Sequence, residues 1–194
     1  MTREQALQAI EVGVKIAREE IARGVRVIGL GEMGIANTTP STAIIACYAE
    51  RPIRELTGRG TGVSGDGLER KAKIIERALA VNRPDLHDPI DILAKVGGLE
   101  IAALTGVTLA AAAGGAAVVL DGVITGAAAL IATRIAPQIK EYLIGSHFSC
   151  EPAHRAALSL MDVPAYLHLD MRLGEGTGAA LGMSLIDAGL HVLN

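Results

Sequence analysis

Tryptophan is absent from this 194-residue chain, and only three tyrosines and one phenylalanine supply aromatic surface. That removes the usual stacking platform for single-stranded nucleic acid, and it leaves Ala, Val, Ile and Leu to build the core. Cysteine is scarce as well. Cys47 and Cys150 sit in unlike settings and belong to no metal-ligand spacing, so neither a disulfide framework nor a metal site is expected, and both read as reduced thiols. No run of one charge sign occurs. The formal net charge is -3, Lys and Arg are scattered, and nucleic acid is excluded as an expected partner. The opening Met1-Thr2-Arg3-Glu4 carries no signal-peptide pattern, and a cytoplasmic location is expected. Residues 101–120 carry no charge and are as long as a membrane span, but they are mostly Ala and Gly and are broken by Gly114-Gly115. A buried helix followed by a buried strand explains them better, so no membrane association is expected.

What the chain does have is apolar residues: half of it is hydrophobic, which is incompatible with disorder. The length suits one domain over residues 1–194. Thr2-Arg3-Glu4-Gln5 fits a capping box, and Leu7, Ile10, Val14, Ala17 and Ile21 then recur at helical spacing until Gly24. Further helices are predicted from Thr39-Pro40 toward Glu50, over 68–81, from Asp88-Pro89 to Gly97, over 99–113, 125–136, 152–161 and 176–193. Short apolar runs at 25–30, 116–120, 142–145 and 166–169 read as strands. Strands alternating with helices, and reading as continuous apolar runs, predict an α/β fold: a Rossmann-like parallel sheet with helices on both faces. Loops following the strands should then meet beyond their carboxyl ends.

Three loops hold residues that could carry chemistry. In residues 31–40, Gly31 and Gly34 let a ligand approach the backbone, and Asn37 and Thr38 suit a phosphate or a sugar hydroxyl. A strand-to-helix turn capped by Thr39 accounts for that loop equally well. Residues 58–67 are glycine-rich but are neither a Walker loop nor a dinucleotide fingerprint. Lys71, one turn further on, could reach an anion, although a solvated helix face shared with Glu69, Arg70 and Lys73 is the stronger reading. In residues 172–178, Glu175 is flanked by Gly174 and Gly176, which packing explains poorly, although a helix N-terminus also favours a carboxylate. Asp121 and Ser146 follow predicted strands, and His147 beside Ser146 could contact ligand. His154 and His168 read as core or helix-surface histidines.

Taken in order, GEMGIANTTPSTA (31–43), GRGTGVSGDGLERK (58–71), KVGGLEIAALTG (95–106), VVLDG (118–122), SHFSCEPAHRAAL (146–158) and MRLGEGTGAAL (171–181) resemble the nicotinate-nucleotide–dimethylbenzimidazole phosphoribosyltransferases of cobalamin nucleotide-loop assembly. The resemblance covers essentially the whole chain. Ala36 stands where family members commonly have Gly. Family enzymes also carry a long N-terminal segment ahead of the first helix seen here, so the chain is expected to be a C-terminal catalytic portion.

The resemblance implies transfer of phosphoribose from nicotinate mononucleotide to 5,6-dimethylbenzimidazole, giving α-ribazole 5'-phosphate and nicotinate, without cofactor or metal. It implies Glu175 as the base that takes the incoming N–H proton, with Glu32 in support. It places Gly34, Asn37 and Thr38 at the nucleotide, Gly60, Lys71 and Ser146 at the phosphate, Asp121 near the sugar, and Gly174 and Gly176 beside Glu175. The base would rest among Met33, Met171 and Leu173. It also implies a homodimer, with which the positive mean hydropathy of +0.38 is compatible. Two alternatives stay open: a related transferase with another base acceptor, and a nucleotide-binding module or partner subunit without catalysis of its own.

Overall fold

The capping box forms as the sequence demands. Thr2 Oγ1 accepts from Gln5 N–H, Gln5 Oε1 accepts from Thr2 N–H, and helix α1 follows as Arg3–Ala22. The computed structural model describes residues 1–60, 62, 63 and 65–193. After α1 come β1 (Val27–Gly29), α2 (Thr38–Ala46), α3 (Ile53–Leu56), α4 (Asp66–Asn82), α5 (Pro89–Val96) and α6 (Leu99–Ala113). The second half holds β2 (Ala117–Leu120), α7 (Val123–Ile135), a 3-10 turn (Pro137–Tyr142), β3 (Leu143–His147), α8 (Pro152–Met161), β4 (Ala165–Leu167) and α9 (Thr177–Leu193).

The four strands are all parallel and lie in the order β1-β2-β3-β4. Val118 and Leu120 point into the main core, which α7 dominates: every residue from Val123 to Thr133 is buried. Val119 points the other way, where Gly182 of α9 comes so close that a Cβ on it would meet Val119 Cγ1 at 3.2 Å and Ser146 Cβ at 2.8 Å. Helices therefore cover both faces as expected, but unequally. Helix α9 packs against the face opposite α7, and Leu181, Leu185, Leu190, Val192 and Leu193 on it remain exposed.

The uncharged run 101–120 resolves into most of α6, a Gly114-Gly115 turn and β2. Among the described residues, no helix is long and apolar enough to cross a membrane. The buried stripe of α1 is Ala6, Ile10, Gly13 and Ala17, rather than the predicted stripe through Leu7, which is exposed. The cause is backbone contact with α6. A Cβ on Gly13 would lie 1.9 Å from the Ala103 carbonyl oxygen, and one on Gly106 would lie 2.0 Å from that of Ile10. At that approach only small residues fit the seam, so the larger apolar side chains sit beside it.

Candidate active site

Each strand delivers its loop to one end of the sheet. Residues from the loops after β1, β2, β3 and β4, together with Arg59, Gly60, Val63 and α4, enclose a cavity of about 530 Å³. Glu32, Asn37, Lys71, Asp121, His147 and Gly174 all line it. The convergence expected from parallel strands is present, although the strand order never reverses and so offers no switch-point crevice. The long excursion between β1 and β2 supplies the missing wall.

At one side of the cavity Glu32 is half-buried, and Asn37 Nδ2 donates to Glu32 Oε2. Burial raises the Glu32 carboxyl above its ordinary value, the Asn37 hydrogen bond opposes the shift, and the charges of Glu100, Asp121 and Glu175 add to it. Helix α2 begins at Thr38, two residues earlier than the Thr39 cap predicts, and Asn37, its cap residue, spends its side chain on Glu32 instead of on the helix. Ala36 adopts φ 70°, the left-handed conformation that glycine holds without strain.

At the other side, Lys71 is buried rather than solvated, which corrects the helix-face reading. Its Nζ donates to Thr38 Oγ1 at 2.8 Å and to the Gly58 carbonyl at 3.0 Å. Burial lowers its pKa, opposed by the charge of Glu151. Glu151 is a site residue that no sequence signal marks. It is buried, its Oε1 accepts from Gly60 N–H at 2.8 Å, and its Oε2 is buried without a partner among the described residues. A Cβ on Gly58 would fall 2.0 Å from that oxygen, so this glycine is there to admit the carboxylate. Arg172 closes the same loop by donating to the Gly60 carbonyl at 3.0 Å. Arg59, Arg70 and Arg172 also line the cavity, and none has a carboxylate partner among the described residues. Lys71 and these three arginines give this side of the cavity the positive charge that would suit an anion.

The third loop is fixed from below. Gly174, Glu175 and Gly176 all have positive φ, at 80°, 58° and 78°. Asp121 holds the turn: its Oδ2 accepts from Gly176 N–H at 3.1 Å and its Oδ1 from Gly178 N–H at 2.7 Å. A carboxylate under the first amides of α9 is favourable charge at a helix N-terminus. Asp121 thus anchors the loop as well as lining the cavity.

Three expected site residues are placed differently. Glu175 is exposed, and Gly174 rather than Glu175 lines the cavity. Gly176 does not line it, because its amide faces Asp121. Ser146 does not line it either. β3 runs on to His147, so Ser146 is a strand residue whose hydroxyl donates to the Leu120 carbonyl at 2.6 Å. Ser149, in the loop that follows, lines the cavity in its stead. Gly34, Asn37, Thr38, Gly60 and Lys71 all line the cavity. Of the residues expected to support the base, Leu173 lines the cavity, whereas Met33 is 84% exposed and Met171 is half-buried, and neither lines it.

One histidine forms part of the cavity wall and a second lies behind it. His147 is buried and lines it; burial lowers its pKa against the charge of Asp121. His154 lies in the core, and burial, assisted by His147, pushes it down to about 3. Its Nδ1 accepts from Ser149 N–H at 3.2 Å, and its Nε2 is buried without a partner among the described residues. Among the described residues no cluster of His, Cys, Asp or Glu could hold a metal ion.

A family model described as phosphoribosyltransferase matches residues 1–194. The nicotinate-nucleotide–dimethylbenzimidazole phosphoribosyltransferase of Desulforudis audaxviator is 53% identical over 97% of this chain and 53% of its own length. That of Geotalea uraniireducens is 52% identical over all of this chain and 55% of its own. The crystal structure of CobT from Thermus thermophilus superposes with a TM-score of 0.92 at 41% identity, covering 97% of this chain and 56% of that one. The chain therefore spans a little over half the length of the curated relatives it matches. With the match running from its first residue to its last, this chain belongs to the phosphoribosyltransferase family.

Proposed function

We propose that this chain forms the catalytic domain that moves the 5-phosphoribosyl group from nicotinate mononucleotide to 5,6-dimethylbenzimidazole, giving α-ribazole 5'-phosphate and nicotinate. The observation that carries this reading is the pairing, in one cavity, of the Lys71 anion cradle with a half-buried carboxyl at Glu32. A phosphorylated donor needs the first; the positive charge that spreads over the ribose as its base leaves calls for the second. The names of the relatives supply the substrates.

The donor's phosphate sits against Lys71, Ser149 and the cavity arginines. The glycosidic C–N bond breaks with its electron pair going to the pyridinium nitrogen, so nicotinate leaves without protonation. Charge spreads over the ribose as in glycoside hydrolysis. The acceptor nitrogen attacks the anomeric carbon from the opposite face, which inverts it. The proton of the acceptor passes to a carboxylate: Glu175 at the open rim in this reading, with Glu32 beneath it countering the positive charge. The substrates are small molecules throughout. Incubating the chain with both substrates and separating the products by chromatography with mass detection tests it: equal yields of nicotinate and α-ribazole phosphate support the proposal, and their absence with both substrates bound overturns it.

A second reading, donor binding without transfer, is favoured by one observation. Met33, Ile35 and Leu173 at the rim are 84%, 91% and 69% exposed, leaving the acceptor side open to solvent. Donor binding with no turnover in the same assay selects that reading.

A further inference from the structure

Ser146 and His147 make a short relay at the end of β3. The Ser146 hydroxyl oxygen lies 2.6 Å from the Leu120 carbonyl oxygen, a separation that requires a proton between them. A hydroxyl has one proton, so the 3.1 Å contact between Ser146 Oγ and His147 Nδ1 runs the other way: Nδ1–H donates to Ser146. This fixes the ring as the Nδ1–H tautomer and leaves the lone pair on Nε2. That nitrogen has no partner among the described residues, and it is not one of the fully buried orphans that include Nε2 of His154. With the ring lining the cavity, the lone pair on Nε2 is the one open to a ligand.

The neighbouring groups narrow what that ligand atom is. Asp121 is engaged by Gly176 and Gly178. A Cβ on Gly178 would lie 2.1 Å from His147 Nδ1, so α9 packs directly on the ring and holds its plane. Burial weakens the imidazole as a base, which suits accepting a hydrogen bond rather than removing a proton. On the donor assigned under Proposed function, on which this inference rests, the phosphate, the carboxylate and the ring oxygen are acceptors. The ribose hydroxyls are its hydrogen-bond donors.

We propose that His147, held as its Nδ1–H tautomer by Ser146, accepts a hydrogen bond from a ribose hydroxyl of the phosphoribosyl donor through Nε2. Ser146 then belongs to the site as a positioning residue, one step removed from the substrate rather than at the phosphate.

The test is calorimetric titration of nicotinate mononucleotide and of its 2'-deoxy and 3'-deoxy analogues, without acceptor, into the chain and into His147→Phe. Loss of a buried neutral hydrogen bond weakens binding by about tenfold. One deoxy analogue should show that loss with the unaltered chain. His147→Phe should show it with the parent donor and no further loss with that analogue. Losses that simply multiply for both analogues would overturn the proposal. In case His147→Phe does not fold, nitrogen-15 spectra of the unaltered chain give an independent readout. They should show Nδ1 protonated, with the Nε2 resonance moving on donor addition and moving less with the deoxy analogue. An Nε2–H ring, or no movement, refutes the assignment. Ser146→Ala should mix the tautomers and weaken donor binding only in part; an unchanged tautomer would remove Ser146 from the relay. Failure of the unaltered chain to bind any of the three donors overturns the phosphoribosyl reading itself, and this one with it.

Discussion

Glu175 donates its backbone N–H to the carbonyl oxygen of Glu32 at 3.2 Å. The two carboxylates of the candidate site, far apart in sequence, are thus carried on directly bonded stretches of main chain. In the proposed reaction they act as a unit, and effects of residues that act as a unit do not multiply. Glu175→Gln and Glu32→Gln should each lower turnover by about a hundredfold or more. The double variant should fall short of the product of the two. Steady-state rates for the three variants, alongside donor affinities that stay within a few-fold of the parent, check this.

The raised pKa of Glu32 has a stability consequence whose sign is definite. A carboxyl raised in the folded state contributes stability that is complete below its unfolded value of 4.5 and is lost as pH rises through the folded value. Glu32→Gln, which can keep the Asn37 bond, should therefore melt slightly higher than the parent at pH 7. The two should melt together near pH 4. Thermal melts at the two pH values decide it.

His154 works in the opposite direction. Its folded pKa of about 3 lies below the ordinary 6.5, so the unfolded chain takes up a proton first and stability falls as pH drops between the two. The slope approaches about 1.4 kcal/mol per pH unit from this one residue. His154→Asn leaves an oxygen to accept the Ser149 amide but removes the titration. Denaturant unfolding from pH 7 to 4 should show a shallower acid limb for that variant.

Ala36 holds φ 70° where glycine would be unstrained. Ala36→Gly should stabilise the chain by about 1 kcal/mol, less the extra freedom glycine gives the unfolded state. Gly106→Ala should do the reverse. Its Cβ would meet the Ile10 backbone oxygen at 2.0 Å, so α1 and α6 have to separate, and destabilisation of about 2–3 kcal/mol is expected. Denaturation midpoints of the two variants should move to opposite sides of the parent.

Much of this is legible in the sequence because it rests on local rules. The capping box at Thr2, the Asp88 cap before Pro89, the Gly114-Gly115 break and the parallel α/β pattern each follow from neighbouring residues. Partner choice across long sequence separations is not legible. Lys71 looks like its charged neighbours until Thr38 and Gly58 are seen to enclose it. Glu151 has no distinctive spacing, and its importance lies in the Gly60 amide 91 positions away. Ser146 and Ser149 are equally polar, and only the point at which β3 ends decides which one meets the cavity. The α1 stripe departs from the predicted one because periodicity weighs large apolar side chains, while the seam with α6 is set by two glycines.

The sheet is stitched at very unequal ranges. Val118 pairs with Leu143 and Gly145 with Ala165, but Val27 pairs with Ala117, ninety positions away. Closing the longer loop costs roughly 1 kcal/mol more entropy than closing either of the shorter ones. β1 is also an edge strand of three residues. Residues 117–167 can therefore assemble as a folding unit before β1 docks, and β1 is the strand to detach first when the native protein breathes. The loop bearing Glu32 and Asn37 hangs from that strand. In hydrogen exchange, the amides around β1 should exchange ahead of those shared by β2 and β3. The molecule would then pass through a state that keeps most of its sheet while having already dismantled its carboxylate pair.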